Sequence, residues 1–182
     1  PAVAERTLTR RELNRALLAR QLLLERVRLP IPRALERIAG IQNQYAPNGY
    51  IRLWSCLEGF RRDQLTRALK RRSVVQATLM RSTIHLVSRR EYWPFAVAVR
   101  ASQREWWLRT RRPPLREADL ERQAAELRAL LADGPRRQEE LAAVVGRSWG
   151  MVGPWLDLVR VPPSGTWERR RANLFQTAES WL

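Results

Sequence analysis

The chain is 182 residues long and short of the residues that staple small proteins or carry their commonest chemistry. It has one cysteine, Cys56, and one histidine, His85. A lone cysteine excludes an intramolecular disulfide framework, and the two together leave no Cys/His set for a metal. Cys56 falls in an apolar helical stretch and reads as a small core residue. There is no Ser/His/Asp arrangement, no P-loop and no glycine-rich dinucleotide fingerprint. No run approaches the ~18 apolar residues of a membrane span, and no signal peptide is found. The expectation is a soluble cytoplasmic protein with no cofactor and no metal. Acidic residues are also scarce: 18 Asp and Glu face 34 Lys and Arg, for a net charge of +16. Lys70 is the only lysine. A GC-rich coding bias accounts for arginine over lysine but not for the excess over carboxylates. Such a field draws polyanions through phosphate contacts and counterion release. Nucleic acid is the leading partner, ahead of an acidic membrane surface or an acidic protein.

Read in order, residues 1–8 look like a frayed start. Thr9 with Glu12 forms a capping box, and Leu13, Leu17, Leu24 and Val27 carry a first helix to about Arg28. Pro30 and Pro32 stop it and open a short helix that Gly40 ends. A third helix follows Pro47, with Tyr50, Ile51, Leu53, Trp54 and Leu57 as its buried side. Asp63 begins a fourth. The period then changes. Ser73–Met80 and Thr83–Val87 are rich in β-branched residues and read as two strands joined at Arg81-Ser82. Helices followed by a ribbon are the order of a winged helix. Ser88 caps a long helix to about Arg111, and Pro113-Pro114 marks the internal boundary. The order then repeats: helices at Glu117–Leu131, Arg137–Val145 and Ser148–Leu158, then a ribbon from Leu158–Val161 and Trp167–Arg170. Residues from Ala172 start a last helix, and Trp181-Leu182 is an apolar end without a partner. The fold class is mainly α with small β-ribbons, in tandem winged-helix units over 1–112 and 113–182.

Two glutamines, Gln42 and Gln44, flank one residue just after the helix that ends at Gly40. In an extended segment their side chains point the same way. Glutamine is no general base. Its amide both accepts and donates, so two convergent amides orient a water and stabilise a nearby cation. The residues alone leave this reading open beside a structural one, a tie between two helices. His85 on the ribbon touches substrate or DNA, or is merely hydrogen-bonded there. Arginine clusters sit at element ends: Arg61 and Arg62, Arg71 and Arg72, Arg89 and Arg90, Arg136 and Arg137, and Arg169, Arg170 and Arg171. The last group lies on a wing beside Trp167, and wings commonly lie against phosphates or a groove. Trp167 is the best stacking candidate. Trp54, Trp93, Trp106, Trp107 and Trp155 sit at helical spacings and read as core.

Ile41-Gln42-Asn43-Gln44-Tyr45-Ala46-Pro47 with Leu53-Trp54-Ser55, then Leu79–Val87, then Val161–Trp167, resemble the AlkZ/YcaQ-like family of winged-helix DNA glycosylases. The resemblance implies tandem winged helices forming a C-shaped scaffold around double-stranded DNA. It implies metal-independent hydrolysis of the N-glycosidic bond of alkylated or cross-linked purines. Gln42 and Gln44 match the family's catalytic Gln-x-Gln, with Arg81, Thr83 and His85 in the second motif as substrate or DNA contacts. The middle position, usually apolar in the family, is Asn43, expected to alter the pocket or to point into solvent. Members are about twice this length, so a third winged-helix unit and a DNA-probing hairpin are expected beyond Leu182. A monomer, nucleoid-associated and without membrane contact, is the implied working form. The alternative is a non-catalytic winged-helix DNA-binding protein.

Overall fold

A computed structural model of the chain describes residues 7–171 and 173–182, apart from the side chains of residues 147 and 148. The frayed start falls mostly outside these residues, as does Ala172. Helix α1 (Arg10–Arg20) opens with its capping box: Glu12 N–H donates to Thr9 Oγ1, and Thr9 N–H donates to Glu12 Oε2. It ends at Arg20, short of the expected Arg28. Leu22 adopts a left-handed backbone at φ 56 and buries its side chain, which takes the later leucines off the helical face. Val27 bridges to Leu57 instead.

The first unit runs α2 (Ile31–Arg37), β1 (Ile41–Gln42), α3 (Ala46–Cys56), α4 (Arg62–Lys70), β2 (Val74–Thr78) and β3 (Ile84–Ser88). This is a winged helix. Gly40 makes the turn into β1 at φ +83, and a Cβ there would stand 2.9 Å from both Leu86 O and Val87 Cγ1. Only glycine meets both demands. On α3 the inner face is taken by Tyr50, Leu53 and Cys56, at helical spacing. Ile51 and Trp54, one residue round, are each 55% exposed rather than buried as expected. Helix α5 (Arg89–Thr110) follows, with Ser88 Oγ accepting from Glu91 N–H as its cap. Its Trp106 is also exposed, while Trp93 and Trp107 are half-buried.

The second unit repeats the order: α6 (Glu117–Ala132), β4 (Arg136–Arg137), α7 (Gln138–Val145), α8 (Gly153–Leu156), β5 (Leu158–Arg160) and β6 (Leu174–Thr177), closed by α9 (Ala178–Trp181). The expected helix over Ser148–Leu158 is instead a 3₁₀ segment at Gly146–Gly150 and the single turn α8. Gly150, Gly153 and Pro154 break it. The second ribbon's return strand is Leu174–Thr177, not Trp167–Arg170. A strand with neighbours on both sides and layers above and below needs apolar residues; Phe175 and Leu174 meet that need, and Glu168-Arg169-Arg170 does not. The last helix begins only at Ala178, because Thr177 is its cap, accepting from Ser180 N–H.

Among the described residues, six strands join one antiparallel sheet in the order β1-β3-β2-β5-β6-β4. In each unit the short first strand pairs with the third, and the units meet where β2 pairs β5 through Gln76↔Arg160 and Ala77↔Val159. The order therefore reads alike from either end, and the two ribbons form one surface. Three cores flank it. Leu35, Leu53, Leu65 and Leu86 fill the first unit, and Leu127, Leu131, Leu141 and Phe175 the second. Val75, Val87, Tyr92, Val159 and Ala178 pack α5 and α9 on the sheet. Burial of each large apolar side chain is worth about 1.5–3 kcal/mol. Trp181 packs on this third core, and the Arg72 guanidinium lies 4.3 Å over its ring, so the chain's apolar end has partners.

Candidate active site

Strand β1 is an edge, and its side chains alternate. Ile41 and Asn43 are buried; Gln42 and Gln44 are exposed on the other side. Asn43 lies neither in the pocket nor in solvent, contrary to expectation. It is 1% exposed, and its Oδ1 accepts from Gly49 N–H at 2.7 Å. A polar residue is tolerated here because α3 offers a buried donor that needs an acceptor. Ile84 of β3 grips the same segment twice. Asn43 N–H donates to Ile84 O at 2.7 Å, and Ile84 N–H donates to Gln44 Oε1 at 2.6 Å. A backbone N–H needs an oxygen opposite it, so the Gln44 amide is fixed with its NH2 turned away. Gln42 stands across the ladder from His85. Its amide has no hydrogen bond to any described residue, and it lines an open cleft of about 460 Å³ with Gln21, Asn48, Arg52 and Ser55.

His85 Nδ1–H donates to Thr83 O at 2.9 Å, which leaves Nε2 as an acceptor. Burial pushes its pKa below the ordinary 6.5; the Thr83 carbonyl works the other way, and the Arg81 charge adds to the lowering. The ring is therefore neutral at neutral pH. The β2–β3 turn is built from two left-handed residues, Arg81 at φ 55 and Ser82 at φ 54. Thr83 Oγ1 donates to Met80 O within it, and Gln103 Nε2 of α5 donates to Leu79 O at its base. Arg81 is exposed at the tip.

The second wing, residues 161–171 and 173, crosses to the first unit. Trp167 meets Tyr50 edge-on at 5.7 Å, and its N–H donates to Tyr50 Oη at 3.2 Å. Tyr50 Oη also bonds Thr66 Oγ1 at 2.9 Å. The guanidiniums of Arg62 and Arg170 flank the Trp167 ring at 5.5 and 5.8 Å. Trp167 is thus engaged inside the protein. Arg170 Nη1 donates to Tyr45 Oη at 2.8 Å, next to Gln44, and Glu168 pairs with Arg62 at 3.6 Å. Ser164 holds the wing's shape: its Oγ donates to Arg171 O and accepts from Asn173 N–H at 2.7 Å.

The fold so gathers Gln42, Gln44, Thr83 and His85 at one end of the sheet, with Arg170 carried there by Tyr45. Arg62 and Trp167 stand beside them. Arg137, Arg169, Arg170 and Arg171 line a second open cleft of about 600 Å³. Arg61 pairs with Asp63 at 3.6 Å. Arg71 and Arg72 lie past the other end of α4, with Arg72 on Trp181. Arg136 is tied down by Leu130 O, Asp133 and Glu140. None of these four joins the glutamines. Tyr45, Tyr50, Gln103 and Ser164 act in the site's framework without a signature in the sequence; their roles rest on partners far along the chain. Among the described residues no cluster of His, Cys, Asp and Glu could hold a metal ion.

Six strands shared by two winged helices, with paired glutamines on a rim beside basic wings, define a tandem winged-helix scaffold. A family model described as DNA glycosylase AlkZ-like matches residues 35–182, and the chain belongs to that family. Among solved structures, the Streptomyces sahachiroi DNA glycosylase AlkZ matches with a TM-score of 0.73 and 20% sequence identity, over 90% of this chain and 48% of that one. The likeness is one of fold, and the chain spans about half that protein's length. No curated protein matches it. Among the described residues no helix is long and apolar enough to cross a membrane.

Proposed function

We propose that the chain carries the reaction centre of a monofunctional, metal-independent DNA glycosylase. Its substrates are alkylated or cross-linked purines in double-stranded DNA. The observation that carries this reading is the pair Gln42 and Gln44 on one exposed side of an edge strand, with the second amide locked by Ile84. An N7-alkylated purine is already cationic, so it departs without an acid. The N-glycosidic bond breaks with its electron pair going to the purine, and the sugar becomes oxocarbenium-like, as in other glycoside hydrolyses. Gln42 Oε1 accepts from the attacking water, and the Gln44 NH2 donates to it. The two amides hold the water's oxygen toward C1′. Neither takes its proton. We assign that proton to the neutral imidazole of His85, which stands across the ladder from Gln42 and whose Nε2 carries the unprotonated lone pair. Arg81, Arg137, Arg169, Arg170 and Arg171 supply phosphate contacts.

The test is base release from duplex DNA bearing an N7-alkylguanine, read as abasic sites. Wild type should release the base. Gln42→Ala with Gln44→Ala should lose about 10²–10³-fold in rate, the scale for removing a positioned polar group at a reacting centre. Release that survives the double substitution removes the assigned residues. DNA binding with no release by wild type leaves the non-catalytic reading.

A further inference from the structure

The seam between the two units encloses a cavity of about 180 Å³ that contains none of the residues assigned above to catalysis. It is smaller than the ~300 Å³ at which pockets for drug-sized ligands begin. Arg160 of β5 lines it, opposite Gln76 where the units pair. One Arg160 nitrogen donates to Thr78 Oγ1 at 3.1 Å, and the guanidinium lies 5.1 Å over Phe175. No carboxylate pairs with it among the described residues. Its Nε is shut off from solvent and has no acceptor. Arg100, from α5, lines the same cavity and has a second such Nε. Its other end pairs with Asp157 at 2.9 Å.

The charges do not balance. Asp157 answers Arg100, with Arg104 also near it. Arg160 is left over. Burial brings its pKa down to about 10, which still leaves it protonated at neutral pH. A desolvated guanidinium is normally paired with an anion or bonded through all its donors, because leaving it bare is costly. The face of Phe175 offsets only part of that.

We propose that this seam cavity binds a phosphate-class oxyanion, held by the guanidinium of Arg160 with that of Arg100 beside it. The cavity wall also includes Leu79 and Ser82, at the base of the first wing. An occupant would therefore tie β2, β5, α5 and that wing together. The oxyanion is either free orthophosphate or a phosphate of the DNA backbone. The inference does not rest on the glycosylase reading.

The experiment is a titration of the purified protein with orthophosphate against sodium chloride at matched ionic strength. Melting temperature is one readout, and tryptophan fluorescence is the other, since Trp107 and Trp149 stand in the wall. Wild type should gain about 5 °C or more at saturation in phosphate and not in chloride. Arg160→Met keeps the apolar stem and removes the charge. It should melt higher than wild type in phosphate-free buffer and show no phosphate response. Arg160→Lys should keep part of the response, which decides the matter if the Met variant does not fold. A rise no larger than in chloride, or an equal rise in Arg160→Met, overturns the proposal. If the source is DNA, duplex competes with phosphate and Arg160→Met binds duplex several-fold more weakly. If it is free phosphate, duplex affinity is unchanged.

Discussion

Asn43 shows how one side chain sets the geometry of its two neighbours. Its Oδ1 satisfies Gly49 N–H inside the protein, and this holds the strand so that Gln42 and Gln44 face outward. Asn43→Leu would leave that N–H buried and unpaired, a loss of about 1–3 kcal/mol measurable by urea unfolding. Gly49→Ala should fail in the same place, because a Cβ there would come within 2.4 Å of Leu86 Cδ1 and 3.0 Å of Asn43 Oδ1. Its cost is about 1–3 kcal/mol of overpacking, read from the same urea curves. The outward pairing of the two glutamines was legible in the sequence, since strand alternation alone dictates it. The role of Asn43 was not. It depends on a donor six residues away in another element, which no local pattern announces.

His85 gives a prediction with a sign. Its folded pKa lies below its unfolded value of 6.5 because burial disfavours the imidazolium. As pH falls through 6.5 the unfolded chain takes up a proton that the folded chain refuses. Stability from this group is present above that pH and is lost on acidification, down to the folded pKa. His85→Gln should flatten the dependence of melting temperature on pH between about 5 and 7. An unchanged slope would place the acid sensitivity elsewhere.

At the scale of elements the two wings differ, although the units share an order. The first is a tight turn of left-handed residues at Arg81 and Ser82. The second is a long loop that leans on the first unit through Tyr50 and Trp167. Tyr50→Phe removes the hydroxyl that Trp167 N–H and Thr66 share. It should cost about 1–2 kcal/mol and free the wing. Limited trypsin digestion should then cut faster at Arg169–Arg171 than in wild type. The first ribbon was legible because β-branched runs flank a short break. The second was not, because the loop carries Glu168 and three arginines where a strand was expected. Its shape is imposed by Ser164 and by contacts across the units. Trp54 misled for a related reason: helical spacing told that α3 has an inner face, but the depth of the first core decided which aromatics it took.

For the whole molecule the dominant fact is a charge of +16, with exposed arginines on both wings. The logarithm of duplex affinity should therefore fall linearly with log salt. If Arg81, Arg137, Arg169, Arg170 and Arg171 each neutralise one phosphate, the slope is about −4 to −5. Removing any one should flatten it by about one unit. Affinity that barely changes between low and physiological salt would refute the assigned contacts. The tandem arrangement was legible from the repeated order of elements. The single sheet was not, since the β2–β5 pairing joins residues from the two halves over two rungs only.

The two shortest strands, Ile41–Gln42 and Arg136–Arg137, occupy the two rims of that sheet. A rim is where sheets recruit stray strands and aggregate, and brevity or charge is the usual protection. Here one rim is closed by arginines and the other offers two residues, too little for a foreign strand to hold. The glutamine rim is thus left free of competing polypeptide, so a concentrated solution of the protein should stay dispersed and the open side of Gln42 stays uncovered.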